Sequence, residues 1–294
     1  MRVAILGFGL IGGSIARALA EAPDRSAWSV TAWSPTGEGP RRAAADGVIE
    51  TAAPSPAEAI DGAQLAVLAA PPTATIELVA RLGAALRPAL APDTVITDVA
   101  STKAAVVAAG TEHGLRFVGG HPMAGRETAG YQAASANLFI DRPWVVVPTD
   151  PDDLPAVVAV ETLAVACRAW PIRMDAATHD LAVAAISHLP LVIAAALVET
   201  VAGPDAGGAS PPGWPVARSL AASGWRDMTR LARGDVAMGA GIAATNAPAI
   251  ATHLREFRDV LDGWLADLER SGGPDEAALA RRLAAAREQL GEPA

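Results

Sequence analysis

Short runs of apolar residues alternate with longer, alanine-rich stretches of helical period through the first part of the chain. Each short run predicts a buried strand, and the stretches between them, residues 13–21 and 73–86 most clearly, predict crossover helices. We expect the strands at residues 3–6, 29–33, 65–68, 94–98, 117–119 and 144–148. This alternation is typical of a parallel sheet covered by helices, so residues 1–174 are expected to form an α/β domain.

Beyond residue 174 the alternation stops, and apolar positions recur at helical spacing with no clear strand. The main predicted helices lie at residues 177–200, 216–232, 249–270 and 275–290. A stretch rich in glycine and proline, residues 203–215, predicts a loop. The chain of 294 residues is longer than one average domain, and we expect an all-α second domain over residues 175–294.

The most apolar stretch, residues 181–198, is long enough to raise the question of a membrane span. Ser187, His188 and Pro190 lie in its middle, where a lone helix facing lipid would tolerate them poorly. No secretory signal is visible, because Met1 is followed almost at once by the first predicted strand. We therefore expect no membrane association.

Charge and cysteine usage narrow the partners and the compartment. The net charge of −9 and the pI near 5.0 leave no overall basic field for binding a polyphosphate backbone, so nucleic acid is not an expected partner. Cys167 is the only cysteine, which excludes an intrachain disulfide and suits a reducing compartment. The expected location is the cytoplasm.

A glycine motif directly follows the first predicted strand. Gly7, Gly9 and Gly12 fit the pattern G-x-G-x-x-G, and here the pattern follows a strand and opens a helix, as a dinucleotide site requires. The first glycine permits a tight turn, the second a close approach of backbone to pyrophosphate, and the third close packing of helix on strand. We expect a Rossmann domain that holds the phosphates at the start of this helix.

The end of the second strand bears on the choice between NAD and NADP. An NAD site is expected to carry an acidic residue there, because a carboxylate binds ribose hydroxyls and repels a 2′-phosphate. This chain carries Ser34, with Arg41 and Arg42 shortly after, so NADP is the expected cofactor and NAD the alternative. No metal ion is expected. The expected cofactor contacts are Gly7, Phe8, Gly9, Leu10, Ile11, Gly12, Ser34, Pro35, Thr36, Ala70, Pro71 and Ser101.

Four further motifs occur in order along the chain: TDVASTK at residues 97–103, GGHPMAG at 119–125, HD at 179–180 with SHLP at 187–190, and SGWRDMTR at 223–230. Together with the glycine motif they resemble the prephenate and arogenate dehydrogenase family along nearly the whole chain. The resemblance is closest to the arogenate-using, NADP-dependent branch, whose members share a hydroxyl residue at the end of the second strand. Leu191 and Gly239 favour the same branch, because prephenate-using relatives often carry histidine and tryptophan there.

The resemblance implies oxidation of a ring hydroxyl, with transfer of hydride to the nicotinamide and loss of the ring carboxylate as CO2. A neutral histidine suits the proton transfer because its pKa lies near the working pH, and His121 is the expected general base. Ser101 is expected to orient His121 or to share the substrate hydroxyl, and an N-cap for a helix starting at Thr102 is a further role considered for it. Arg230 is expected to clamp a substrate carboxylate with its planar guanidinium.

The remaining polar residues of the motifs have more than one interpretation. His188 is a candidate substrate-binding residue, with a hydrogen-bonded core histidine as the alternative. Lys103, the only lysine among 23 basic residues, is expected to organise its loop electrostatically. His179 and Asp180 are interpreted as a helix-start pair, and Glu127 as a surface charge or as an ion pair over the site.

These predictions describe a homodimer, interlocked through its helical domains, that oxidatively decarboxylates L-arogenate to L-tyrosine with NADP in tyrosine biosynthesis. The dimer follows from the resemblance and from the apolar helices after Met174. The nearest alternative is the same reaction on prephenate, giving 4-hydroxyphenylpyruvate with NAD or NADP. Two others are a 3-hydroxyacid-type dehydrogenase, which would want a catalytic lysine in the second domain, and a dinucleotide sensor without enzymatic activity.

Overall fold

The computed structural model describes residues 1–126, 128–203 and 211–291. Its strands are β1 Arg2–Leu6, β2 Ser29–Trp33, β3 Thr51–Ala52, β4 Leu65–Leu68, β5 Val95–Asp98, β6 Phe117–Pro122, β7 Pro143–Pro148 and β8 Trp170–Arg173. They form one sheet in the order β3-β2-β1-β4-β5-β6-β7-β8, and neighbours run parallel except β6 and β7, which are antiparallel. The order from β3 to β6 is that of a Rossmann domain, which confirms the predicted α/β class.

Helices make up most of the remaining regular structure. Their bounds are α1 Leu10–Ala20, α2 Glu38–Ala45, α3 Pro56–Ile60, α4 Pro72–Gly83, α5 Ala104–Glu112, α6 Leu154–Ala166, α7 Ala176–Val183, α8 Leu189–Ala202, α9 Trp214–Ser219, α10 Ser223–Met228, α11 Val236–Thr245, α12 Ala247–Leu268 and α13 Glu276–Leu290. After β8, the part of the chain that the structure describes contains helices and no strand. The expectation of a helical second half is therefore confirmed.

Two apolar cores lie on opposite faces of the sheet. Val3 and Ile5 of β1 pack into one cluster of buried side chains, and Ala4 and Leu6 pack into the other. Successive strand residues point to opposite faces, so a strand covered on both faces has to be apolar throughout. Because both faces are buried, the central strands appear in the sequence as uninterrupted apolar runs and could be predicted from them.

The register of the sheet aligns the carboxyl ends of its central strands. Leu6 is aligned with Trp33 of β2 and with Leu68 of β4, and Leu68 is aligned with Asp98 of β5. Open α/β sheets bind their ligands at the carboxyl ends of the strands. The turns that follow β1, β2, β4 and β5 are thus placed where a ligand site is expected.

Several details differ from the sequence predictions. The predicted helix at 216–232 is wrong, because this segment forms α9, α10 and a 3-10 turn, Arg230–Arg233. Residues 220–222 separate α9 from α10, and Ser223 and Gly224, which are poor helix formers, open α10. Of the predicted loop at 203–215, residues 204–210 lie outside the described residues, and α9 already begins at Trp214.

Two strands not predicted from the sequence, β3 and β8, are the edge strands of the sheet. An edge strand is paired on one side only and can be short and polar. In β8 both end residues, Trp170 and Arg173, are exposed, so the strand carries no buried apolar run to recognise.

The segment Ala176–Ala202 is helical throughout and is interrupted by a π-helical turn, Ala184–His188. Pro190 lacks the N–H that would donate to the carbonyl of Ile186, so the regular ladder is broken there. Among the described residues this is the one helix long and apolar enough to span a membrane, with a mean hydropathy of 2.3. Only 22% of its most apolar window is buried, so its apolar surface needs an explanation.

Internal packing divides the chain into two compact units, Met1–Ala247 and Pro248–Ala294. Within the second unit, Arg282 of α13 donates to Asp267 over 2.6 Å and to the carbonyl oxygen of Val260 over 3.0 Å. Its guanidinium also lies 4.4 Å from the ring centre of Trp264, which ties α13 to α12. A domain boundary at residue 174 stays a prediction.

Candidate active site

The glycine turn after β1 has the geometry that a dinucleotide site needs. Gly7 has a φ of +97°, and a Cβ there would lie 2.2 Å from the carbonyl oxygen of Ala69. A Cβ on Gly12 would lie 2.4 Å from the carbonyl oxygen of Gly7, so α1 packs tightly on the turn. At Gly9, in contrast, a Cβ would meet no atom within 4 Å. Open space therefore adjoins the first N–H groups of α1, where a pyrophosphate is well bound.

A cavity of about 440 Å³ lies beside Gly9 and at the end of β2. Five of the predicted cofactor contacts line it together: Phe8, Gly9, Ser34, Pro35 and Thr36. The other predicted contacts lie in the neighbouring turns, Leu10, Ile11 and Gly12 at the start of α1, Ala70 and Pro71 between β4 and α4, and Ser101 after β5.

The charged lining of this cavity is mixed. Arg42 lines it, whereas Arg41 donates over 3.1 Å to the carbonyl oxygen of Thr36. Glu38 lines the cavity as well. Of the two arginines considered for a phosphate contact, Arg42 is thus the one that lines the cavity.

A buried ion pair joins the loop after β5 to strand β6. Lys103 and Asp98 are fully buried and form a salt bridge. The Asp98 carboxylate also accepts from the backbone N–H of Ala100 at 2.9 Å and of Gly120 at 3.1 Å. Burial lowers the pKa of Lys103, and the adjacent Asp98 carboxylate opposes that shift. The ion pair holds the loop close to the residue that precedes His121, which agrees with the organising role expected of Lys103.

A chain of hydrogen bonds connects His121 to a buried carboxylate. His121 Nδ1 lies 2.8 Å from Nε2 of His179, and His179 Nδ1 lies 2.8 Å from Oδ1 of Asp180. The carboxylate of Asp180 also accepts from the backbone N–H groups of Lys103, at 2.7 Å, and Ala104, at 2.9 Å, so it caps α5. His179 and Asp180 are therefore more than a helix-start pair, because they link α7 to β6 and to α5.

Burial and neighbouring charges shift the pKa values in this chain. Burial, together with His179, Lys103 and His188, lowers the pKa of His121 well below 6.5, so its imidazole is neutral at neutral pH. Burial acts to raise the pKa of Asp180, but hydrogen bonds from His179 and from backbone N–H groups outweigh it and leave that pKa below its usual value. Asp180 is therefore ionised at neutral pH.

His188 lies at the end of the π-helical turn and is 1% exposed. The amide nitrogen of Asn246 donates to the carbonyl oxygen of Asp180 at 2.8 Å and lies 3.1 Å from Nδ1 of His188. Burial lowers the pKa of His188 to about 4, so the ring is neutral, and its proton must lie on Nε2. Nε2 is buried without a hydrogen-bond partner among the described residues. His188 is thus a hydrogen-bonded core histidine with one donor left for a ligand.

Ser101 and Arg230 lie in different settings. Ser101 is partly exposed in the loop after β5, and its hydroxyl makes no hydrogen bond within the described ranges. Its role as a helix N-cap is wrong, because α5 begins at Ala104 and Asp180 caps it. Arg230 is exposed and opens the 3-10 turn that packs against α8. Glu127 lies outside the described residues.

Three features of the site were not predicted from the sequence. They are the hydrogen bonds of Asp98, those of Asn246, and the position of His179 between His121 and Asp180. A usable signal existed for two of them. Asn246 is one of only two asparagines in the chain, and Asp98 ends an otherwise apolar strand. An isolated polar residue kept inside apolar surroundings has to be hydrogen-bonded there.

The comparisons with known proteins agree over most of the chain. The family profile described as "Prephenate dehydrogenase, nucleotide-binding domain" matches residues 16–171, and "Prephenate dehydrogenase, dimerization domain" matches residues 175–279. The prephenate dehydrogenase of Bacillus subtilis is 30% identical over 271 residues, 91% of this chain and 68% of that protein. The cyclohexadienyl dehydrogenase of Zymomonas mobilis is 31% identical over 271 residues, 91% of this chain and 86% of that protein.

Among solved structures, the arogenate dehydrogenase of Synechocystis superposes with a TM-score of 0.76 at 28% identity, covering 99% of this chain and 100% of that one. The two family profiles together span most of the chain, and their order matches the order of its α/β and helical parts. The 3-hydroxyacid-type and sensor alternatives are thereby set aside. The chain belongs to the prephenate dehydrogenase family and is an NAD(P)-dependent dehydrogenase.

Proposed function

We propose that this enzyme oxidatively decarboxylates L-arogenate to L-tyrosine with NADP, as a step of tyrosine biosynthesis. The observation that carries the proposal is a neutral histidine, His121, on β6 at the ligand-binding edge of the sheet. The loop after the neighbouring strand β5 carries the hydroxyl of Ser101, which has no hydrogen-bond partner among the residues that the structure describes. A base and a hydroxyl on adjacent strands suit the handling of one substrate hydroxyl.

His121 accepts the proton of the ring hydroxyl in the proposed reaction, and Ser101 hydrogen-bonds the same oxygen. The glycine turn after β1 and the cavity at the end of β2 would hold NADP, which would supply a hydride acceptor for the ring carbon that carries this hydroxyl. The bond to the ring carboxylate breaks to release CO2, its electron pair makes the ring aromatic, and the resulting phenolate oxygen takes the proton back from His121. Arg230 binds a substrate carboxylate through charge-assisted hydrogen bonds, and the free Nε2–H of His188 donates to the substrate.

The preference for NADP is supported by the cavity at the end of β2. Ser34 occupies the position where an NAD site is expected to have a carboxylate, and Arg42 supplies a guanidinium for a 2′-phosphate. Glu38 in the same lining opposes an added negative charge, so the cofactor choice depends on the balance between these two residues.

The preference for arogenate is supported by the two positions at which prephenate-using relatives often differ. Leu191 and Gly239 lie together, since a Cβ on Gly239 would be 3.7 Å from Cδ2 of Leu191. They leave an apolar surface where a histidine and a tryptophan would otherwise stand. An imidazole there could donate to a keto group, whereas the ammonium of arogenate gains nothing from such a donor.

A second candidate is the same reaction on prephenate. It is favoured by the relatives in Bacillus subtilis and Zymomonas mobilis, named as a prephenate and a cyclohexadienyl dehydrogenase. The two substrates differ only at the side chain, an amine against a keto group.

Steady-state kinetics with both substrates and both cofactors test the proposal. We expect kcat/KM to be at least about tenfold higher for arogenate than for prephenate, and for NADP than for NAD. Ser34→Asp should reverse the cofactor preference because its carboxylate repels the 2′-phosphate, while the matched Ser34→Ala should not. Equal or higher kcat/KM with prephenate, or with NAD, in the unmodified enzyme would contradict the corresponding part of the proposal.

We further propose a homodimer that buries apolar surface of the helical part. Ile186, Val216, Leu220 and Val236 are between 64% and 84% exposed, and the matching family profile is a dimerization domain. Exposed apolar patches of this kind are typical of subunit interfaces. Light scattering should give twice the chain mass of 29.8 kDa, and a monomer at micromolar concentration would refute the dimer. Location in the cytoplasm stays a prediction.

A further inference from the structure

The buried carboxylate of Asp180 determines where the proton of His179 lies. Asp180 accepts from three N–H groups, two of the backbone and one of His179, so both of its carboxylate oxygens are hydrogen-bonded. An ionised carboxylate can only accept hydrogen bonds. His179 must therefore carry a proton on Nδ1.

The proton position on His179 determines the proton position on His121. When His179 is neutral and carries its proton on Nδ1, its Nε2 can only accept. The atom it faces at 2.8 Å, Nδ1 of His121, must then donate. The proton of neutral His121 is consequently on Nδ1, and Nε2 keeps its lone pair.

We propose that Asp180 and His179 are positioning residues, which hold His121 in the Nδ1–H form and so present Nε2 as the nitrogen that takes the substrate proton. This inference rests on the proposed role of His121 as the general base. The hydroxyl proton passes to Nε2, the Nδ1–H bond to His179 is kept, and the resulting imidazolium is stabilised through His179 by the Asp180 carboxylate. Without a partner on Nδ1, either ring nitrogen could carry the proton.

The surroundings of His121 make such support necessary. Burial disfavours the protonation of His121, and so do its basic neighbours, Lys103 at the start of α5, His179 on α7 and His188 on the π-helical turn. The Lys103 charge is compensated locally by Asp98. Asp180, on α7, is the carboxylate that reaches His121 through a hydrogen-bonded chain.

The direct test reads the proton position without measuring activity. The full-length protein, labelled with ¹⁵N in its histidines, is studied by NMR at neutral pH with and without NADP, and His121 is assigned by loss of its signals in His121→Asn. We expect Nδ1 to be protonated and Nε2 to be unprotonated. A proton on Nε2 of His121 in the unmodified protein, as a protonated His179 would impose, overturns the inference.

Three substitutions then test whether Asp180 and His179 position His121 or only fill space in the core. Asp180→Asn removes the charge that holds the proton of His179 on Nδ1 and stabilises the imidazolium of His121, so kcat should fall about 10²–10⁴-fold. His179→Gln keeps an oxygen that can accept from His121 Nδ1, whereas His179→Phe keeps the bulk without an acceptor. We expect kcat to be clearly higher in the Gln than in the Phe variant, with the Kd for NADP unchanged in both.

Equal kcat in the Gln and Phe variants, or a Phe variant as active as the unmodified enzyme, would overturn the positioning role. Thermal unfolding of each variant shows whether a loss follows stability instead. If His121→Asn keeps normal turnover, the proposed base is wrong, and the NMR result still decides the proton position by itself. Failure of the inference and failure of the proposed function are thereby distinguished.

Discussion

Replacing His121 by Asn is expected to lower kcat by about 10²–10⁴-fold, the usual contribution of a general base. Asparagine fits the volume and can still accept from or donate to His179, but it cannot take up a proton at this pH. The proposed dinucleotide contacts lie on the turns after β1, β2, β4 and β5 and do not include His121, so the Kd for NADP should change little. Stopped assays of tyrosine formation and fluorescence titration of NADP measure the two quantities.

The matched control is His113→Asn, which changes a histidine at the other end of α5 from the active-site loop. Its kcat should stay within about twofold of the unmodified enzyme, since surface substitutions away from a site usually have small effects. Near-normal kcat in His121→Asn, or an equal loss in both variants, would remove His121 from the mechanism.

Replacing Arg230 by Ala should raise KM for the substrate about 10- to 100-fold and leave kcat within a few-fold. Hydrogen bonds between charged groups contribute about 1.5–3 kcal/mol, and about 1.4 kcal/mol corresponds to a factor of ten in binding. A carboxylate clamp that binds ground state and transition state alike affects KM more than kcat. This split distinguishes Arg230 from His121, whose loss falls on kcat.

Arg226→Ala is the control for Arg230, because it removes an exposed arginine from the preceding helix, α10. It should leave KM nearly unchanged. His188→Leu should also raise KM, by less than Arg230→Ala, since it removes one neutral donor rather than a charge. An unchanged KM in Arg230→Ala, or the same rise in Arg226→Ala, would count against the clamp.

The sheet could be predicted from the sequence because its inner strands are covered on both faces. The β2 and β4 bounds match the predicted 29–33 and 65–68, and the glycine turn follows β1 as expected. The edge strands β3 and β8 were missed, since one-sided pairing imposes no apolar pattern. The predicted helix at 216–232 failed for a related reason, because the segment is highly exposed and short-range propensity decides its breaks.

Individual residues of the site could be predicted from the sequence, but the hydrogen bonds between them could not. His121 and Ser101 occur in motifs at the ends of adjacent strands, which sheet topology places at one edge. The hydrogen bond between His121 and His179 spans 58 positions in sequence, and it depends on how α7 packs against the sheet. Sequence spacing does not predict such a long-range contact. Nothing in the sequence around His179 and Asp180 indicated a hydrogen bond to His121.

If a neutral His121 receives the substrate proton, the pH dependence of kcat/KM should follow the titration of its imidazole. This profile reports the pKa values of essential groups in the free enzyme. Because burial lowers the pKa of His121 well below 6.5, its neutral form should persist down to that pH and be lost only below it. We predict a kcat/KM that is flat from neutral pH to 6.5, falls at lower pH, and loses this fall in His121→Asn. A fall centred at or above pH 6.5, or one that persists in His121→Asn, would contradict the account.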